Sequence, residues 1–149
     1  MKYIVLFHVI AAAFVMAPTP PAYASFLPSE LGNWSLASEH VTELTASEEL
    51  GKWTSAFYAR SEPIARIEVQ LTEGAGPGEL FVPEDIVASD YETLNISGRR
   101  AVLERGDVTG QALAVALETR TVTFESRGIS RKELLDFAES MIEALRDER

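Results

Sequence analysis

The sequence predicts an α+β domain: a twisted antiparallel sheet of five to six strands with a C-terminal helix packed on one face. Two observations carry this. Residues 52–72 alternate apolar and polar side chains in two runs around a proline turn, as an antiparallel hairpin with one wet face does. Residues 130–145 combine a serine cap with a single apolar stripe, as a helix lying across a sheet does.

The chain opens with Met1 and Lys2, an apolar run from Tyr3 to Met16, and prolines at 18, 20 and 21 before Ala22-Tyr23-Ala24. This order of a basic residue, an apolar stretch and an A-x-A site is that of a signal peptide. A transmembrane helix needs about 20 apolar residues, and the prolines end this run early. The expected arrangement is a signal peptide over 1–24 and a single domain over 25–149, with Ser25 as the first mature residue. No cysteine follows the run, so a lipid-anchored start is excluded.

Phe26 to Trp34 reads as a lead-in segment that tucks aromatic side chains onto the core. Val41 to Leu50 fits a short helix ended by Gly51, but Thr42 and Thr45 suit a strand equally well. Lys52 to Arg60 alternates, with Trp53, Phe57 and Ala59 on one face and Thr54, Tyr58 and Arg60 on the other. Ser61-Glu62-Pro63 turns the chain. Ile64 to Thr72 then points Ala65, Ile67, Val69 and Leu71 one way.

Glu73 to Tyr91 has no regular period. It combines glycines with large apolar residues, which suits a loop that docks on the core or on a partner. Its candidate interaction residues are Gly74, Gly76, Gly78, Glu79, Phe81, Val82, Glu84 and Asp85. Thr93 to Ile96 and Arg99 to Arg105 form the next expected hairpin across Ser97-Gly98. Gln111 to Glu118 places Leu113, Val115 and Leu117 on one face and three alanines on the other, and Thr121 to Glu125 turns Val122 and Phe124 inward. Ser130-Arg-Lys-Glu133 is a capping box. Leu134, Leu135, Ala138, Met141, Ile142 and Leu145 form the stripe behind it, with Phe137 at its edge.

Thirteen basic residues face 23 acidic ones, a net charge of −10. A chain this acidic repels phosphate backbones and anionic lipid surfaces, so nucleic acid is not an expected partner, nor is membrane insertion after signal cleavage. An exported chain with no cysteine fits a bacterial periplasm or the extracellular space without disulfide staples. No oligomeric state follows from these features.

Candidate sites are few. His40 is the one histidine after the signal segment, which rules out zinc sites built on Cys and His. A serine triad would need His40, yet no G-x-S-x-G surrounds any serine. Gly74 to Gly78 lacks the Lys-Ser/Thr ending of a phosphate loop, and Glu84, Asp85 and Asp90 lack calcium-loop spacing. No cofactor is therefore expected. Distant carboxylates remain available for glycosidase-type chemistry. Arg99, Arg100, Arg127, Arg131 and Lys132 are candidates for one basic patch able to receive a carboxylate. Asn33 and Asn95 head N-x-S sequons, whose simpler role is turn chemistry.

The stretch from Leu94 to Leu145, with its strand, Ser-Gly turn, further strands and Ser-x-x-Glu-Leu-Leu-x-Phe-Ala-Glu-Ser-Met ending, resembles small secreted domains of the PsbP-like type. The resemblance covers about a third of the chain and implies a non-enzymatic accessory module, with no site residue carried over. The expected function is an exported accessory or binding module with an envelope protein as partner. The alternatives are a small carboxylate-based hydrolase and a carrier of an apolar ligand between sheet and helix.

Overall fold

A computed structural model describes residues 27–43, 50–74, 89–106 and 110–147. Among them are eight strands and one helix: β1 (Glu30–Leu31), β2 (Trp34–Glu43), β3 (Leu50–Ser61), β4 (Ile64–Gly74), β5 (Ser89–Ile96), β6 (Arg99–Gly106), β7 (Gly110–Ala116), β8 (Arg120–Ser126) and α1 (Arg131–Asp147). The strands form one antiparallel sheet in the order β1-β2-β3-β4-β8-β7-β6-β5. Two meanders, β1–β4 and β5–β8, thus meet along the β4–β8 seam, where Val69 pairs with Phe124.

The α+β class holds, but the sheet has eight strands rather than five or six. The missed strands are β1, only two residues long within the lead-in segment, and β2. A bulge between Leu36 and Ser38 shifts its register, so Trp34 and Leu36 share the helix side with Val41 instead of with Ser38 and His40. That phase change hides the alternation that marks a strand. Val41, Thr42 and Glu43 are strand; the remainder of the helix-or-strand stretch up to Glu49 lies outside the described residues, as do Phe26 and most of the loop from 75 to 88. β1 pairs Leu31 with Trp34, and Leu27 and Trp34 are buried, as expected of the lead-in segment.

Of the two faces that alternate along β3, the one carrying Thr54 and Tyr58 goes inward. The turn consists of Glu62-Pro63 alone, so Ser61 pairs with Ile64, Tyr58 with Ile67 and Phe57 with Glu68. Cross-strand partners share a face. With Ile67 buried, Tyr58 must go inward and Trp53 and Phe57 outward. A turn one residue longer would have reversed this. Buried Tyr58 donates its hydroxyl to the Pro28 carbonyl at 2.6 Å and so ties the lead-in segment down.

Elsewhere the expected pattern is present. Leu113, Val115, Val122 and Phe124 are fully buried. Ser97 and Gly98 turn with φ of 49° and 80°, and Asn95 Oδ1 accepts the Gly98 N–H at 2.9 Å, so the Asn95 side chain serves the turn. Gly110 is required as glycine, because its φ is +87° and a Cβ there would lie 2.5 Å from the Ser126 carbonyl oxygen.

The helix begins with the expected capping box. Glu133 N–H donates to Ser130 Oγ at 3.2 Å, and Ser130 N–H donates to Glu133 Oε2 at 2.9 Å. Arg60 Nη2 donates to Glu133 Oε1 at 2.6 Å, and its guanidinium stacks 4.6 Å from the Trp34 ring centroid. Phe137, at the edge of the apolar stripe, is nonetheless buried at the centre of an aromatic cluster. It meets Trp34, Tyr58 and Phe124 edge-on, with centroids 5.5, 5.2 and 5.9 Å away.

Phe137→Ala should therefore cost about 3–5 kcal/mol, and Ile142→Ala about 2–5 kcal/mol, in denaturant unfolding. Unchanged midpoints would make the helix a dispensable appendage. The cap adds a pH dependence. The Ser130 N–H first, then Arg60 and the Ser130 hydroxyl, pull the Glu133 carboxyl from 4.5 down to about 2. The folded state thus binds this proton more weakly than the unfolded chain. The stabilisation is complete above about pH 4.5 and is lost as pH falls towards 2. Glu133→Gln should flatten the stability profile in that window and lower the plateau above it.

Candidate functional site

The helix covers one face of the sheet, and the other face carries the side chains of opposite phase. They lie in rows, because antiparallel partners stand opposite one another with Cβ atoms about 4.5–5.5 Å apart. One row runs Phe57, Glu68, Glu125, Ala112, Glu104 and Tyr91 across β3, β4, β8, β7, β6 and β5. The next holds His40, Ser55, Gln70, Thr123, Ala114 and Val102; a third holds Thr42, Trp53, Thr72, Thr121 and Ala116. A band of alanine, serine and threonine thus separates two outward aromatic rings on β3 from Val102 on β6.

The first row concentrates charge. Ser55 Oγ and Gln70 Nε2 donate to Glu68 Oε1 at 3.5 and 3.2 Å. Glu125 stands directly opposite Glu68, an arrangement that costs stability when both are ionised. Partial burial first, then the charges of Glu68 and Glu104, push the Glu125 carboxyl above its ordinary range. Among the described residues no ion pair reaches Glu68, Glu104 or Glu125. A groove of about 510 Å³ adjoins the row, lined by Phe57, Arg66, Glu68, Glu125, Ser126 and Arg127. The Arg66 guanidinium lies 3.5 Å from the Phe57 ring centroid and forms no ion pair among the described residues.

His40 stands opposite Ser55 on this face. The carboxylate of Glu68 contacts the serine and not the imidazole, whereas a nucleophilic serine needs the imidazole between itself and the acid. Among the described residues no hydrogen bond joins His40 to Ser55, and no group of three acidic or histidine side chains is placed to hold a metal ion.

The candidate residues for a basic patch are not brought together. Arg131 pairs with Glu92 at 2.7 Å and Lys132 with Asp136 at 2.6 Å, while Arg127 lines the groove on the open face. Arg99 instead joins Arg120 and Arg146 around a smaller pocket at the C-terminal end of the helix. Arg120 and Arg146 were invisible as partners because they are distant in sequence. Of the candidate loop, Gly74 ends β4, and Gly76, Gly78, Glu79, Phe81, Val82, Glu84 and Asp85 lie outside the described residues. The carboxylate row was missed for a related reason: its members are single residues on three strands whose register only the fold supplies.

No protein-family model, no curated protein and no solved structure matches this chain.

The raised pKa of Glu125 has a testable sign. Its folded value lies above its unfolded one, so ionisation opposes folding at high pH, and the penalty disappears as pH falls below the unfolded value. Glu125→Gln should raise the melting temperature at pH 7 and leave it nearly unchanged below pH 4. A loss of stability at pH 7 would mean that the carboxylate is held by a cation.

Proposed function

We propose that this protein is an exported, non-enzymatic binding module that uses the face of its sheet opposite the helix, and that its occupant is a cationic polypeptide segment. The unpaired carboxylate row carries this reading. Each of the five ion pairs among the described residues involves the helix, the strand residues beside it or the end of the sheet near its C-terminus; none lies on the open face. Glu68, Glu104 and Glu125 are thus set in one rigid line, at a cost in mutual repulsion, and none of them forms an ion pair among the described residues. A partner presenting lysine or arginine beside small apolar side chains complements both the row and the alanine and threonine band next to it.

The likeness of residues 94–145 to PsbP-like domains points in the same direction, as does the expected signal peptide over 1–24. The space between sheet and helix is filled by Phe137, Leu134, Met141 and Phe124, each at most 3% exposed, which favours a surface binder over a carrier of apolar ligands. One observation favours a second reading. An acid with a raised proton affinity beside another carboxylate, Glu125 beside Glu68, is the pairing a carboxylate-based hydrolase uses.

A defined probe tests the first reading: a short peptide alternating lysine and alanine, titrated into the protein while backbone resonances are followed. Saturable shifts should map to Phe57, Glu68, Glu104 and Glu125, and weaken with salt. The E68Q/E104Q/E125Q variant should bind about tenfold more weakly or worse. Equal binding by this variant, or shifts confined to the helix, would sink the proposal. Turnover of glycoside substrates that is abolished in E125Q would replace it with the second reading.

A further inference from the structure

We propose that the pocket at the C-terminal end of α1 binds a small dicarboxylate. The pocket has a volume of about 240 Å³ and sits between the helix end and the β7–β8 turn, with Arg99, Arg120 and Arg146 around Leu117, Ile142 and Leu145. All three arginines stand on regular elements: the first residue of β6, the first of β8 and the last turn of the helix. The β7–β8 turn is closed by the Leu117 N–H donating to the Arg120 carbonyl at 2.8 Å. The cluster is therefore held by the scaffold and needs no loop closure to form.

The guanidiniums are incompletely matched. Arg99 and Arg120 are only 27% and 20% exposed, so their charges have lost much of their water. Their carboxylate partners, Glu118 and Glu73, both lie at 3.5 Å, whereas the other three ion pairs close to 2.6–2.7 Å. Arg146 donates to the Ser97 carbonyl. A position in the last helical turn explains Arg146 as a complement to the helix dipole, but it does not explain two further strand arginines with loose partners. Each guanidinium offers five donors in a planar fork suited to carboxylate oxygens.

Charge and shape specify the ligand class. With Glu118 displaced, the three guanidiniums exceed Glu73 by two charges, which favours a doubly charged anion over a single carboxylate. The aliphatic floor of Leu117, Ile142 and Leu145 favours a carbon skeleton over a bare phosphate. The volume is below that of drug-sized sites, so the ligand is small. Glu118 stands at the rim with its side chain 63% exposed, where it competes with the incoming anion and is easily displaced.

Titration of the protein with succinate, acetate and inorganic phosphate at low ionic strength tests the site, read by methyl resonances of Leu117, Ile142 and Leu145. Succinate should bind saturably and more tightly than either other anion. Arg99→Gln and Arg120→Gln should each weaken it about tenfold, the loss expected for one charge-assisted hydrogen bond. Glu118→Gln should strengthen it, and Arg131→Gln, on a distant pair, should change nothing. The gain from Glu118→Gln separates a binding site from a packing role, since loss of folding cannot produce tighter binding. Absence of saturable succinate binding, preference for phosphate, or undiminished affinity in the folded R99Q and R120Q proteins would overturn the proposal.

Discussion

One helix has to shield a whole face of an eight-stranded sheet, and the rest of the structure follows from that mismatch. A helix of 17 residues is about 26 Å long and about 10–12 Å wide. Eight strands spaced about 4.7–4.9 Å apart would span roughly 34 Å if flat. The sheet must therefore curl towards the helix, as strongly twisted sheets do. Both outermost strands reach it: Leu31 of β1 lines a pocket with Asp136 and Phe137, and Glu92 of β5 pairs with Arg131. Phe137, facing rings from β2, β3 and β8, fills the middle of this curl.

The same constraint decides where chemistry can reside. The inner face is consumed by packing, with Ile67, Val69, Leu103, Leu113, Val122 and Phe124 fully buried. The surfaces left are the outer face and the two ends of the helix. At the N-terminal end, Arg60, Glu133 and Ser130 satisfy one another at short distances, and that end is structural. At the C-terminal end the arginines are loosely matched, and on the outer face the carboxylates are unmatched. Incomplete pairing on a scaffold this regular is the mark shared by both proposed sites.

The helix was legible down to its cap, because a capping box and a stripe are local signals that packing only reinforces. The strands of the second meander were legible for the same reason: Leu113, Val115, Val122 and Phe124 alternate without interruption. β2 was not, since its bulge breaks the period that reveals a strand. The orientation of β3 turned on one residue of turn length, which local composition does not fix. Phe137 looked marginal on a helical wheel and proved central, because the sheet curls around it from both sides. Of the residues at the two candidate sites, the sequence singled out only Arg99 and Arg127 for a site, and in another grouping. Glu68, Glu104 and Glu125 are 36 and 21 positions apart along the chain, and become neighbours only through the β4–β8 seam and the β6–β7–β8 pairing.

The order of elements along the chain has a bearing on how the protein is made. The aromatic side chains of Trp34 and Tyr58 are synthesised early, and their partner Phe137 comes in the last element. The central β4–β8 seam likewise waits for residues near 120. A growing chain therefore has no complete core until residues up to Leu145 leave the ribosome. A product truncated ahead of Met141 lacks Ile142 and Leu145 as well, and leaves an apolar sheet face open to proteases. Completeness of synthesis is thus read out as resistance to digestion.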